Sequence, residues 1–149
     1  MTDREEIVDL VHRYSDSVTR FDQPMWCATW ANDAHWDLGK GRVFDGFDAI
    51  RTFWLSAMEQ LVIVVQTVKN GTVAVAADGA TGTGRWYVDE HLHRRTGQKD
   101  ILLAWYDDTY AHIDGQWKFA SRVLTRLYSG PADLSAEFSP PPGSGWTGR

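Results

Sequence analysis

The stretch "VIVVQTVKNGTVAVAADGATGTGRWYVDEHLHRRTGQKDILLAWYDDTYAHIDGQWKFASRVLTRLY", residues 62–128, decides the fold of this chain. Runs rich in β-branched and aromatic residues are separated in it by the pairs Asp78-Gly79, Thr96-Gly97 and Asp114-Gly115. A turn-forming residue followed by glycine between two such runs is typical of a β-hairpin. The pattern therefore predicts four long antiparallel strands, over residues 62–76, 80–94, 99–112 and 116–128.

The residues before this stretch predict three helices. In the first helix, after Thr2 or Asp3 as cap, apolar side chains recur at three-to-four spacing: they are Ile7, Leu10, Val11, Tyr14 and Val18. "PMWCATWAND" (24–33) predicts a second, short helix, and "FDAIRTFWLSAMEQL" (47–61) predicts a third. Between them, "AHWDLG" and "GRVFDG" predict two short strands.

Helices followed by a run of hairpins indicate an α+β fold, with the helices on one face of an antiparallel sheet. Strands of this length twist and coil. We therefore expect a strongly curved, cone-shaped sheet that about three N-terminal helices close around an internal cavity. Residues 1–130 should form this single domain, and the Pro/Gly-rich tail, 131–149, should be extended or disordered.

The composition narrows the classes of function. The net charge of −5 argues against binding of nucleic acid or of an anionic membrane surface. The single cysteine, Cys27, excludes an intrachain disulfide framework and a cysteine-based zinc site. The N-terminus is charged, and apolar runs such as "LVIVV" are far too short to span a bilayer. We therefore expect no signal peptide, no membrane span and a cytoplasmic location.

Three segments carry a resemblance to a known family: "YSDSVTRFD", "ATWANDAHWDLGKGRVFDGFDAIRTFW" and "DGQWKFASRVLTRLY". Together they resemble the SnoaL-like group of the nuclear transport factor two superfamily, over roughly residues 5–128. The resemblance implies a cystatin-like α+β barrel and a homodimer or homotrimer. We expect no cofactor and no metal. It also implies dehydratase-, dehydrochlorinase- or cyclase-type chemistry, in which a His–Asp pair inside the cone moves a proton.

The resemblance also implies roles for particular residues. Asp22 stands where such enzymes carry the dyad aspartate, and Tyr14 resembles their pocket tyrosine. The dyad histidine should lie at position 66, but this chain has Gln66. A second catalytic histidine of the family falls at or near His91, so His91 is the candidate general base and Asp22 the residue that orients it.

Alternation along the second long strand groups Arg85, Tyr87, Asp89, His91 and His93 on one face. We expect His91 and Tyr87 to point into the cavity and His93, nearer the hairpin tip, to be exposed. A shift of one residue would reverse every inward assignment. His91 could instead face solvent, and His91 with His93 could form a metal pair, for which no third ligand is evident.

Several other side chains are predicted to line the cavity: Gln66, Trp36, Trp54, Tyr87, Tyr106 and, through its shared face with Tyr106, Asp108. Arg122 and Arg126 share a face of the last strand. Pointing inward, they could bind a carboxylate or an enolate; pointing outward, which we favour, they would form salt bridges at an interface.

The sequence supports two hypotheses. The first is a cofactor-independent lyase or isomerase that acts on a hydrophobic cyclic molecule by acid–base chemistry. The second is a non-catalytic ligand-binding or subunit-assembly module, similar to a dioxygenase small subunit, which the glutamine at position 66 favours.

Overall fold

The computed structural model describes residues 1–148. Its elements are α1 (Asp3–Arg20), α2 (Gln23–Ala28), β1 (Trp30–Asp37), β2 (Val43–Asp45), α3 (Phe47–Glu59), β3 (Leu61–Val75), β4 (Thr81–Arg94), β5 (Lys99–Ile113) and β6 (Gln116–Pro131). The α+β class, the three helices and the four long hairpin strands are thereby confirmed. No helix among the described residues has the length and apolar character needed to cross a membrane.

Local sequence explains where the helices begin and end. Thr2 caps α1 through a capping box, since its side chain accepts from the Glu5 backbone while the Glu5 carboxylate accepts from the Thr2 backbone. All five apolar side chains predicted for the inner face of α1 are buried. The second helix is shorter than predicted: it ends at Ala28, and Trp30 to Asp33 belong to β1.

The six strands form one curved sheet in the order β2-β1-β6-β5-β4-β3. The sheet is mixed rather than wholly antiparallel, because β1 runs parallel to β6. It does not close into a barrel, and β2 and β3 remain as its edges. Helix α1 contacts the sheet through β3 and β6, and helix α3 contacts it through β1, β2 and β3.

A bulge between Val68 and Gly71 shifts the register of the β3–β4 pair. A Cβ atom at Gly71 would lie 2.4 Å from the Trp86 ring, so only glycine lets the two strands approach here. The bulge therefore determines which residues of β4 face which residues of β3.

A buried ion pair joins β5 and β6. Asp108 on β5 and Arg122 on β6 are register partners, and the Arg122 Nε and Nη2 atoms donate to the Asp108 carboxylate at 2.8 and 3.1 Å. The Arg122 guanidinium also lies over the rings of Tyr14, Tyr106 and Phe119. Pairing and aromatic contact make it possible to keep this charge inside the protein.

After β6, residues 132–148 contain no helix or strand. The first part of this segment returns to the sheet: Ser139 donates its backbone N–H to the Leu127 carbonyl, and the Phe138 ring lies 4.9 Å from that of Tyr128. The boundary between domain and tail at residue 130 stays a prediction.

Candidate active site

A cavity of about 290 Å³ lies between the concave face of the sheet and the helices α1 and α3. Its size is near the lower end of the range of small-molecule sites. The residues that line it are Tyr14, Val18, Trp36, Leu38, Lys40, Arg42, Phe53, Trp54, Ala57, Met58, Leu61, Val64, Gln66, Val88, Glu90, Leu92, Arg94, Leu102, Tyr106, Leu124, Arg126 and Ser129.

The apolar part of the wall is aromatic and firmly packed. Trp54 of α3 stacks on Trp26 with ring centroids 4.0 Å apart and planes nearly parallel. Trp36 of β1 packs against both Trp26 and Phe53. Side chains held in this way present flat, rigid surfaces, which suit a flat or cyclic apolar ligand.

Glu90 and Gln66 form the polar centre of the wall. They are register partners on β4 and β3, and Gln66 Nε2 donates to Glu90 Oε2 at 3.0 Å. Burial raises the pKa of Glu90 above its ordinary value, and the hydrogen bond from Gln66 and the charges of Arg126 and Arg94 oppose that rise. A carboxyl group in this setting titrates closer to neutral pH than an exposed glutamate does.

The Gln66 side chain has one hydrogen-bond acceptor that no other group in residues 1–148 uses. Its backbone is fixed by α1: Thr19 Oγ1 accepts from Gln66 N at 2.9 Å, and Ser15 Oγ donates to Gln66 O at 3.0 Å. Gln66 Oε1 is buried and has no hydrogen-bond partner. Because an unpaired buried acceptor costs free energy, this oxygen is suited to accept a hydrogen bond from a ligand.

Two tyrosines, Tyr14 and Tyr106, line the cavity, and the guanidinium group of Arg122 lies against both of their rings. Trp36 Nε1 donates to the Tyr106 hydroxyl at 3.2 Å, which leaves the Tyr106 O–H free to donate. Burial raises the pKa of Tyr106 and, more strongly, that of Tyr14. Both phenols are therefore protonated at neutral pH and can act as hydrogen-bond donors, but not as bases.

Five of the predicted site residues line the cavity: Tyr14, Trp36, Trp54, Gln66 and Tyr106. The inward face predicted for β4 is wrong by one residue. Trp86, Val88, Glu90, Leu92 and Arg94 point inward, and the opposite set points outward.

His91 is consequently exposed and lies opposite Val65 and Ile101 on the outer face of the sheet. Tyr87 is also on that face, where its ring contacts Trp105 edge-on. The prediction that His91 and Tyr87 point into the cavity is therefore wrong. The side chains of β4 alternate between the two faces as predicted, but the face that carries Tyr87 and His91 is the outer face of the sheet.

Asp22 and Asp108 lie outside the cavity for different reasons. Asp22 caps α2, with its Oδ1 accepting from the Met25 backbone at 3.1 Å, and it does not line the cavity. Asp108 does face inward, but its side chain is fully buried against Arg122 and is not part of the cavity wall. The preference for an outward Arg122 and Arg126 is wrong as well, since Arg122 is buried and Arg126 lines the cavity.

Glu90 is not among the residues predicted from the sequence for this site, and neither is the cluster of arginines around it. The signal was present in the alternation of Trp86, Val88 and Leu92, an apolar set typical of a buried face that includes position 90. Within residues 1–148, no group of three or more His, Cys, Asp or Glu side chains is arranged to hold a metal ion.

Residues 1–123 match a family model described as a SnoaL-like domain. A hexachlorocyclohexane dehydrochlorinase of type 2 superposes with a TM-score of 0.79 at 20% identity, covering 95% of both chains.

Two further solved structures come from the genus Novosphingobium. A protein of N. aromaticivorans with the provisional name scytalone dehydratase has a TM-score of 0.80 at 19% identity, over 94% of this chain and 93% of that one. A type-3 dehydrochlorinase of N. barchaimii has a TM-score of 0.77 at 19% identity, over 93% and 94%. At these identities, the likeness establishes the fold.

Proposed function

The chain belongs to the SnoaL-like domain family, and on that premise we propose that it is a cofactor-independent lyase or isomerase acting on a hydrophobic, cyclic small molecule. The observation that carries the proposal is the carboxyl group of Glu90, which lies in the cavity, is held by Gln66 and has a raised pKa. Solved structures that resemble this chain include a dehydrochlorinase and a protein named as a dehydratase, which supports an elimination.

In this proposal Glu90 replaces the histidine expected for the family. As a carboxylate, it removes a proton from a carbon next to a carbonyl group of the substrate. The Tyr106 hydroxyl donates to the carbonyl oxygen, and the positive charge of Arg126 further stabilises the enolate that forms. The protonated Glu90 then returns its proton to a leaving hydroxide, giving water, or to another carbon, giving an isomer.

Gln66 has a positioning role in this scheme. Its Nε2 holds the Glu90 carboxylate, and its unpaired Oε1 accepts a hydrogen bond from a substrate hydroxyl. Tyr14 lines the pocket beside it as a second donor. His91 and Asp22 have no part in proton transfer, because their side chains lie outside the cavity.

The test uses proton exchange, which requires only the first step. Wild type, Glu90→Gln and His91→Ala are incubated in deuterated water with cyclic ketones such as 2-tetralone, and with cyclic β-hydroxyketones, and are followed by NMR. Loss of a positioned general base lowers rates by about 100- to 10,000-fold, so Glu90→Gln should fall to background. His91→Ala should match wild type. Equal rates for wild type and Glu90→Gln would reject the proposed role of Glu90.

One observation favours the alternative, an assembly module. The edge strand β3 exposes Val62, Ile63 and Val65, with 56%, 51% and 37% of their surfaces accessible. Apolar side chains on an unpaired edge strand are typical of an interface. The predicted homodimer or homotrimer is tested by sedimentation equilibrium: Val65→Asp should dissociate it. A wild-type protein that stays monomeric at every concentration would contradict self-assembly.

A further inference from the structure

The cavity wall carries more positive charge than the reaction proposed for Glu90 uses, since that reaction calls on Arg126 alone. Four cationic side chains line the cavity: Lys40, Arg42, Arg94 and Arg126. Glu90 is the one acidic residue in the same wall. The protein as a whole carries a net charge of −5, so this local excess of cations is opposite in sign to the rest of the molecule.

Three of these cations form no direct ion pair within the part of the chain that the structure describes. Arg94 donates to Asp100 at 2.9 Å and is paired. Among residues 1–148, no carboxylate lies within 4.0 Å of the charged nitrogens of Lys40, Arg42 or Arg126. Structural arginines are normally paired, as the buried Arg122 is in this protein.

Arg126 is held in place at the cavity wall rather than free in solvent. It follows Arg122 and Leu124 at alternate positions on the inward face of β6, and its Nη1 atom donates to the Leu38 carbonyl. Burial lowers the pKa of Arg126, and the positive charge of Arg42 lowers it further. The charge of Arg126 in turn opposes the rise that burial causes in the pKa of Glu90. Two guanidinium groups that repel each other across a cavity are stabilised by an anion placed between them.

We propose that the substrate is a cyclic apolar molecule that carries a carboxylate, with its ring against Trp36 and Trp54 and its carboxylate held by Arg126 and Arg42. The position of the reacting carbon beside Glu90 rests on the proposed function, whereas recognition of the carboxylate does not. A guanidinium group binds a carboxylate through parallel N–H donors, which sets the orientation of the ring as well as adding affinity.

The test compares two probes of equal shape that differ in charge, naphthalene-2-carboxylate and naphthalene-2-carboxamide. Binding to wild type, Arg126→Gln, Arg126→Lys and the control Arg4→Gln is measured by isothermal titration calorimetry. Arg4 is exposed on α1, so its replacement makes the same change in net charge away from the cavity.

Wild type should bind the carboxylate more tightly than the carboxamide. Loss of a charged hydrogen-bonding partner should weaken carboxylate binding by Arg126→Gln by about 10- to 100-fold and leave carboxamide binding unchanged. Arg126→Lys should fall between Arg126→Gln and wild type, and Arg4→Gln should match wild type. Equal affinity of wild type for both probes, or unchanged carboxylate affinity in a folded Arg126→Gln, would overturn the proposal.

Salt dependence provides a measurement that needs no variant at Arg126. Raising the ionic strength should weaken binding of the carboxylate to wild type and should leave binding of the carboxamide unchanged, because Arg42 and Lys40 are exposed and salt screens their charges. A carboxylate affinity that is independent of salt would overturn the proposal.

Glu90→Gln separates this inference from the proposed function. That variant should bind the carboxylate at least as tightly as wild type, since it removes a negative charge from the same wall. Selective carboxylate binding without any Glu90-dependent exchange would leave this inference standing while the proposed function fails. Glu90-dependent exchange without carboxylate selectivity would do the opposite.

Discussion

Replacing Asp108 by asparagine should destabilise the protein far more than the same replacement at its neighbour Asp107. The side chains of Asp108 and Arg122 are 0% and 1% exposed. The carboxylate accepts two hydrogen bonds from Arg122, at 2.8 and 3.1 Å, and one from the Tyr110 hydroxyl, at 2.9 Å. The asparagine side chain has a similar shape but no charge, so Asp108→Asn leaves the guanidinium group buried without a counter-charge.

The expected loss follows from that burial. Removal of one partner from a buried ion pair costs about 3–5 kcal/mol, because desolvation of the remaining charge is no longer offset. For a domain of this size, each kcal/mol lowers Tm by about 2–4 °C. Asp108→Asn should therefore lower Tm by roughly 6–20 °C.

Asp107 provides a matched control on the adjacent residue. It accepts from Arg85 Nε at 2.8 Å and from Trp105 Nε1 at 3.0 Å, so it also has an arginine partner and an aromatic donor. This pair is 47% and 46% exposed. Exposed ion pairs contribute at most about 1 kcal/mol, so Asp107→Asn should lower Tm by no more than about 4 °C.

Thermal unfolding followed by circular dichroism, with urea denaturation for the free energy of unfolding, measures both variants at pH 7. The double variant Asp108→Asn/Arg122→Met should recover much of the loss, since it leaves no buried charge. Equal Tm values for Asp108→Asn and Asp107→Asn, or a double variant less stable than Asp108→Asn, would refute this account of the buried ion pair.

Three further predictions concern β3 and β4. The pKa of Glu90 is raised in the folded protein, so the free energy of unfolding falls as pH rises from the ordinary glutamate pKa through the raised pKa. Glu90→Gln cannot ionise, and it should therefore have a higher Tm than wild type at pH 8 but not at pH 4. The same variant should lose activity. His91→Ala should change neither ligand affinity nor the pH–rate profile, which kinetics at several pH values will check. Gly71→Ala should be destabilising, because its Cβ would meet the Trp86 ring at 2.4 Å, whereas Gly145→Ala, whose Cβ has no atom within 4 Å, should leave the urea midpoint unchanged.

The strands and helices could be predicted from the sequence because their signals are local. The turns at Asp78-Gly79, Thr96-Gly97 and Asp114-Gly115 set the ends of the hairpins, and the observed strands differ from the predicted ones by at most three residues at either end. The prediction for the second helix is wrong at its C-terminal end, because residues 30–33 belong to β1. There, pairing with β6 outweighs the local helical preference.

The parallel pairing of β1 with β6 and the burial of Arg122 depend on long-range register. Counted from the Asp114-Gly115 turn, Ile113 pairs with Gln116, and the same spacing would place Asp108 opposite Ser121. An irregularity between Thr109 and Tyr110 shifts the pairing by one residue, so Asp108 faces Arg122 instead. An arginine that looks exposed in the sequence is thus provided with a buried counter-charge.

The same kind of shift determines which chemistry reaches the cavity. Counted from the Asp78-Gly79 turn, Val75 pairs with Gly82, and an uninterrupted ladder would place Gln66 opposite His91. The bulge at Gly71 moves the partner of Gln66 to Glu90 and puts His91 opposite Val65. Because side chains alternate faces, one inserted residue exchanges an imidazole for a carboxyl group at the position that Gln66 contacts. Gln66 has no titratable group, but its register partner on β4, Glu90, brings one to the same part of the cavity. A family pattern that is compared position by position along β3 alone does not reveal this carboxyl group.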